Sequence, residues 1–114
     1  MDLEQLRARL REFSAARDWD QFHSPKNLSM ALSAEAGELL EVFQWLTEEQ
    51  SARLDAVARA AAADEIADVL LYLVRLADAL GIDLLAEAQR KLADNERKYP
   101  VDKARGTAKK YTEL

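Results

Sequence analysis

With 114 residues, 49% of them hydrophobic, only three Gly and two Pro, and no Cys, the chain has the length of one domain, 1–114, and the composition of a helical one. Lack of Cys excludes a disulfide framework and a thiolate metal site, and charges at Asp2, Glu4, Arg7 and Arg9 interrupt any secretory segment, so a cytoplasmic location is expected. A formal net charge of −5 argues against a duplex nucleic acid partner, and the most apolar stretch, residues 66–85, holds Asp68, Arg75, Asp78 and Asp83, too many charges for a membrane span.

Residues 2–17 repeat Leu3, Leu6, Leu10 and Phe13 at helical spacing, predicting a first helix. DWDQFHSPKN then breaks the period and places Trp19, Phe22 and His23 in a loop, with Ser24 as N-cap and Pro25 as first residue of the next helix. That helix, residues 25–47, aligns Leu28, Leu32, Leu39, Val42, Phe43 and Leu46 on one stripe. Glu35 falls in the middle of the stripe, and Glu38 lies at its edge beside Trp45. A carboxylate in an apolar seam must be partnered or protonated. Thr47 and Gln50 form a capping box for a short connecting helix over 48–59. The most apolar helix spans 60–80 and ends near Gly81, with an expected core stripe of Ile66, Leu70, Leu73, Leu76, Ala77 and Leu80. Glu65 and Asp68 flank that stripe one turn apart, and Tyr72 follows on the same side. Asp83 caps a last helix over 84–98, where Lys91, Asn95 and Lys98 share a face before Tyr99-Pro100 closes it. The polar tail from Val101 onward, with Gly106, reads as irregular or as ordered only by a neighbouring subunit. The expected fold is all-α, a bundle of four main helices plus a short connecting one.

Two helices each carry a carboxylate pair at i, i+3, Glu35 with Glu38 and Glu65 with Asp68. Packed antiparallel they gather four negative charges, which either find Arg53, Arg59 or Arg75 or require a cation. All-oxygen ligands select a hard ion, Mg²⁺ with Mn²⁺ as substitute. A di-iron bundle wants Glu-x-x-His from two helices, and the single histidine, His23, lies in a loop. No glycine-rich phosphate loop is present, which leaves phosphates to a metal ion and to Lys and Arg.

Glu35-Ala-Gly-Glu38 and Glu65-Ile-Ala-Asp68 resemble the paired ExxE and ExxD motifs of the all-α nucleoside triphosphate pyrophosphohydrolases of the MazG type. RDWDQFHSPKNLSMALSAEAGELLEVFQW, DEIADVLLYLVRLA and KYPVDKARGTAKKYTEL are similar to the dCTP pyrophosphatase branch. The resemblance implies hydrolysis of a (deoxy)nucleoside triphosphate, dCTP or a modified dCTP, to the monophosphate and pyrophosphate, in nucleotide-pool sanitation. It implies Mg²⁺ on Glu35, Glu38, Glu65 and Asp68, and a base and sugar pocket lined by Trp19, His23, Trp45 and Tyr72. Nucleotide and phosphate contacts then fall to Lys91, Asn95, Lys98 and Tyr99, and the assembly to a homotetramer, a dimer of dimers. Asp64 departs from the Glu usual just before ExxD. Glu38 and Glu35 are the candidate catalytic carboxylates, Glu38 first as general base because it sits at the stripe's edge. Two other readings stand beside this one: phosphoribosyl-ATP or dUTP pyrophosphohydrolysis on the same fold, and a non-catalytic helical assembly module.

Overall fold

Asp2 accepts a hydrogen bond from the Gln5 amide while the Gln5 side chain reaches back to the Asp2 amide, a reciprocal cap that starts α1, Leu3–Ala16. In the computed structural model, which describes all residues from Met1 to Leu114, every regular element is helical. The four long helices are α1, α2 (Pro25–Phe43), α4 (Ala56–Ala79) and α5 (Leu84–Lys98), with one-turn helices α3 (Glu48–Ser51) and α6 (Val101–Ala104). No helix is long and apolar enough to cross a membrane. The chain forms two compact units, Met1–Ile82 and Asp83–Leu114.

In the first unit α2 packs along α4, and α1 packs on α4 as well. The α2 stripe is as expected: Leu28 is 1% exposed, and Leu32, Glu35, Leu39, Val42 and Phe43 are half-buried. On α4 the withdrawn positions Ala58, Ala62, Glu65, Val69, Tyr72 and Leu76 form one run of fours and threes, and Asp68, Leu71, Val74, Arg75, Ala77 and Asp78 are buried or half-buried on its other sides. The expected α4 core stripe is thereby corrected: Ile66, Leu70, Leu73 and Leu80 are exposed, and only Ala77 is buried and Leu76 half-buried. At about 100° per residue the packed stripe is rotated from the expected one by roughly a quarter turn. The reason is that α4 is apolar on most of its circumference, so periodicity alone does not select the side that meets α2.

Helix ends follow local chemistry. Ser24 caps α2 through the Asn27 amide, with Pro25 at the first position. α2 stops at Phe43 and not at 47, because Thr47 must be extended (φ −72°, ψ 164°) to cap α3 in its reciprocal bond with Gln50. α3 is one turn, not the helix over 48–59, because Asp55 accepts from the Ala58 amide and starts α4 four residues earlier than expected. Gly81, at φ +66°, ends α4 with paired bonds from its amide to Asp78 and from Ile82 to Ala77. α1 ends the same way with Asp18 in the left-handed position at φ 54°: Asp18 bonds to Ala15 and Trp19 to Ser14.

The second unit is α5, capped by Asp83 through the Ala86 amide, followed by α6 and a 3₁₀ turn, Tyr111–Glu113. The tail is thus more regular than its composition indicates. The Tyr99 and Tyr111 rings meet edge-on at 6.1 Å, and the Lys98 ammonium sits 4.9 Å from the Tyr111 ring centre.

Leu28 is the one large side chain wholly withdrawn from solvent, so Leu28→Ala is expected to lower unfolding free energy by about 3 kcal/mol without changing the denaturant m-value. Chemical denaturation followed by circular dichroism measures it; a loss below about 1 kcal/mol would mean that this end of the seam is not close-packed.

Candidate active site

The seam between α2 and α4 carries a glutamate at its middle from each side. One carboxylate oxygen each from Glu35, Glu38 and Glu65 lies within 4.8 Å of the others. Oε2 of Glu35 and Oε2 of Glu65 are buried and have no hydrogen-bond partner. No ion pair in the protein includes Glu35, Glu38, Glu65 or Asp68. Arg75 pairs with Asp20 and Asp78, Arg53 pairs with Glu49, and Arg59 forms no ion pair, so none of the three neutralises the acids. Asp68 stands outside the closest group, half-buried one turn after Glu65, yet its charge acts on both Glu35 and Glu65.

Burial pushes the Glu35 carboxyl up to about 7, and hydrogen bonding with Glu65 and Glu38 and the charges of Glu38 and Asp68 push the same way. Glu65 is raised too, first by burial and then by the charge of Glu38. Uptake of a proton by one of two coupled acids relieves the repulsion between them. The unpartnered buried oxygens, the oxygen-only donor set and the upward shifts together fit a hard divalent cation held by Glu35, Glu38 and Glu65, with Asp68 adjoining.

The loop before α2 is held by the end of α1. Trp19 is the residue after left-handed Asp18, and its ring meets Phe13 edge-on at 5.6 Å, the apolar contact that accompanies such an ending. Trp19 also meets His23 edge-on at 6.3 Å. His23 is half-buried: Arg75 Nε donates to its Nδ1 at 3.2 Å, and Ser14 Oγ lies 3.5 Å from the same atom. Burial and the Arg75 charge lower its pKa from the ordinary 6.5. Tyr72 is half-buried on α4 one turn after Asp68. Trp45 lies in the turn after α2 with 87% of its surface exposed, so it lines no cavity of its own chain.

Lys91, Asn95, Lys98 and Tyr99 belong to the second unit, where Asn95 is half-buried and the other three are exposed. The Asn95 carbonyl accepts the Tyr99 amide that closes α5. Sequence reasoning missed the organising role of Arg75 and treated it only as a possible partner of the acids. Its signal was Asp78, three residues on in an otherwise apolar helix.

The MazG-like family pattern matches residues 30–114. The chain is 46% identical over 114 residues to dCTP pyrophosphatase 1 of Bos taurus, a match covering 98% of this chain and 68% of the relative. It is equally 46% identical to dCTP pyrophosphatase 1 of Homo sapiens, covering 98% and 67% respectively. A crystal structure of a pyrophosphatase from Archaeoglobus fulgidus superposes with a TM-score of 0.80 at 42% identity, over 85% of this chain and 91% of that one.

A folded-state pKa raised above the unfolded value gives stability that is complete below the unfolded pKa and lost as pH rises through the folded one. For Glu35 the window runs from the ordinary 4.5 to about 7, so the metal-free protein is expected to lose thermal stability across it. Glu35→Gln is expected to flatten that slope and raise the melting temperature of the metal-free protein at pH 8. Because a cation must displace the proton, divalent-ion affinity is expected to fall roughly tenfold per pH unit below about 7. Scanning calorimetry and titration calorimetry in buffers of different ionisation enthalpy measure both; a Mg²⁺ affinity independent of pH would separate Glu35 from the ion.

Proposed function

The chain belongs to the MazG-like family, and from that premise we propose that it is a divalent-metal-dependent nucleotide pyrophosphohydrolase acting on dCTP or a modified dCTP in nucleotide-pool sanitation. Two things support this: the curated relatives named for dCTP pyrophosphatase activity, and the unpartnered buried oxygens of Glu35 and Glu65, the observation that carries the site. In this reading Glu35, Glu38, Glu65 and Asp68 hold Mg²⁺, with Mn²⁺ as substitute. The ion supplies positive charge against the triphosphate and the leaving pyrophosphate.

The chain's own residues do the rest. Glu38 is exposed at the mouth of the seam and free of any ion pair, which suits it to take the proton of the attacking water. The water oxygen bonds to the α-phosphorus, the bond from that phosphorus to the bridging oxygen breaks, and dCMP and pyrophosphate leave. Glu35 and Glu65 stay fixed by the packing of α2 on α4. Trp19, His23, Trp45 and Tyr72 line the base and sugar pocket; a stacked base gains about 1–3 kcal/mol per aromatic platform. Lys91, Asn95, Lys98 and Tyr99 provide donors for the nucleotide and its phosphates.

The assembly in this reading is a homotetramer in the cytoplasm. The exposed stripe of Ile66, Leu70, Leu73 and Leu80 supports self-association, because each such side chain gains about 1.5–3 kcal/mol on burial. Trp45 then reaches a pocket only if a second copy closes over it.

Glu35→Gln and Asp68→Asn are each expected to lower kcat for pyrophosphate release from dCTP about 100-fold or more with Mg²⁺ present. Wild-type turnover in either variant would remove these carboxylates from the site, and turnover of phosphoribosyl-ATP or dUTP in place of dCTP would reassign the substrate. For the assembly, Leu70→Asp with Leu73→Asp is expected to yield a smaller species by light scattering; an unchanged mass would place the interface elsewhere.

A further inference from the structure

The guanidinium of Arg75 forms a three-way fork on the side of α4 that faces α1 and the loop. Nε donates to His23 Nδ1 at 3.2 Å, one terminal nitrogen to Asp20 at 2.7 Å, and the other contacts Asp78 at 3.4 Å. The Arg75 side chain is 13% exposed and that of Asp78 6%. Asp78 is fixed in turn by Arg7 at 3.0 Å and by Arg11 through paired bonds at 2.6 and 2.7 Å. Two arginines of α1 thus hold a carboxylate of α4, and the arginine one turn before it holds the loop.

An arginine N–H always donates and never gives up its proton. The atom that receives it must therefore offer a lone pair, which leaves the imidazole hydrogen on Nε2. Protonating Nδ1 would set two N–H groups against each other. Nε2 has no hydrogen-bond partner in the chain, and it is absent from the buried unpartnered atoms, so it reaches solvent. We infer that Arg75 is a positioning residue that fixes His23 as a neutral, Nε2–H donor, aimed at a hydrogen-bond acceptor of the nucleotide such as a carbonyl oxygen of a pyrimidine base. This rests on the reading of His23 as a substrate contact; the locked ring itself does not. The charged and titratable groups that face His23 are Asp20 in the loop and Arg75 and Asp78 on α4, with the Ser14 hydroxyl from α1.

Because His23 is the only histidine, its ring nitrogens give the only imidazole signals in a ¹H–¹⁵N long-range correlation spectrum of the full chain. The expected wild-type spectrum has a bare Nδ1 and a protonated Nε2, and stays so below the ordinary histidine pKa of about 6.5. Arg75→Met removes the donor and is expected to raise the His23 pKa and admit the second tautomer. It is also expected to raise KM for dCTP roughly tenfold at pH 6 with kcat little changed, the size of one lost hydrogen bond. Arg75→Lys, which keeps a cationic donor, is expected to restore part of both signals, and it serves if the methionine variant does not fold.

A wild-type His23 that titrates at or above 6.5 with mixed tautomers overturns the inference. So does a methionine variant whose spectrum changes while KM does not. Failure of the dCTP reading shows separately, as wild-type protein that neither binds nor hydrolyses dCTP, and the spectrum still decides the state of the ring.

Discussion

The structure depends on an interaction that no group of the chain satisfies: the approach of Glu35 and Glu65 across the α2–α4 seam, each with a buried carboxylate oxygen that has no hydrogen-bond partner. Every neighbour of this pair works against ionisation. Burial in the seam withdraws water, and Glu38 and Asp68 add like charge. An ordinary core would replace the two glutamates by leucines. Two glutamates in the packed stripes lower folding stability relative to such a core, and their unpartnered oxygens fit a hard ion.

The same helix carries the opposite arrangement three turns on. At Asp78 a single buried carboxylate is surrounded by Arg7, Arg11 and Arg75, and the Arg11 contact leads those that hold its pKa below the ordinary carboxylate range. α4 is thus divided by charge into a region that is short of cations, where α2 lies, and a region rich in them, where α1 lies. Of the arginines that the sequence offers as partners for these acids, Arg75 belongs to this second cluster, Arg53 pairs with Glu49, and Arg59 forms no ion pair. That segregation leaves the seam acids without a cationic side chain, and it ties the loop bearing Trp19 and His23 to α4 through Arg75.

Features set by a few adjacent residues were legible in sequence: the Ser24 cap with Pro25, the Thr47–Gln50 box, the Asp83 cap and the left-handed Gly81. Glu35 was legible as well, because an acid inside a clean apolar stripe has few explanations. The α4 stripe was not. A helix bearing apolar groups on most sides presents several equivalent seams, and the choice among them is made by its partners, here α2 through small Ala58 and Ala62 and the half-buried Glu65. The α1 ending was hidden for another reason, since Asp18 holds a left-handed position usually marked by glycine. Arg75 was visible as a charge, but its choice of Asp20, His23 and Asp78 over the metal carboxylates is a tertiary outcome that no spacing rule contains.

The two charge clusters respond to acid in opposite senses, and this separates function from scaffold. Glu35, raised to about 7, takes up its proton first as pH falls, which relieves repulsion in the seam and stabilises the metal-free fold. Asp78, lowered from the ordinary 3.8, contributes stability that is present above that value and lost only as pH falls through its depressed pKa. Between the two lies a range in which Glu35 is protonated while the α1–α4 arginine cluster is intact. Within it the seam acids take up protons while the arginine cluster that ties α1 to α4 is unchanged. The neutral His23, held by Arg75 on the scaffold side, keeps its donor through the upper part of that range. Acid therefore reaches the seam carboxylates before it reaches the contacts that hold the loop, because one cluster lacks the arginines that the other has collected.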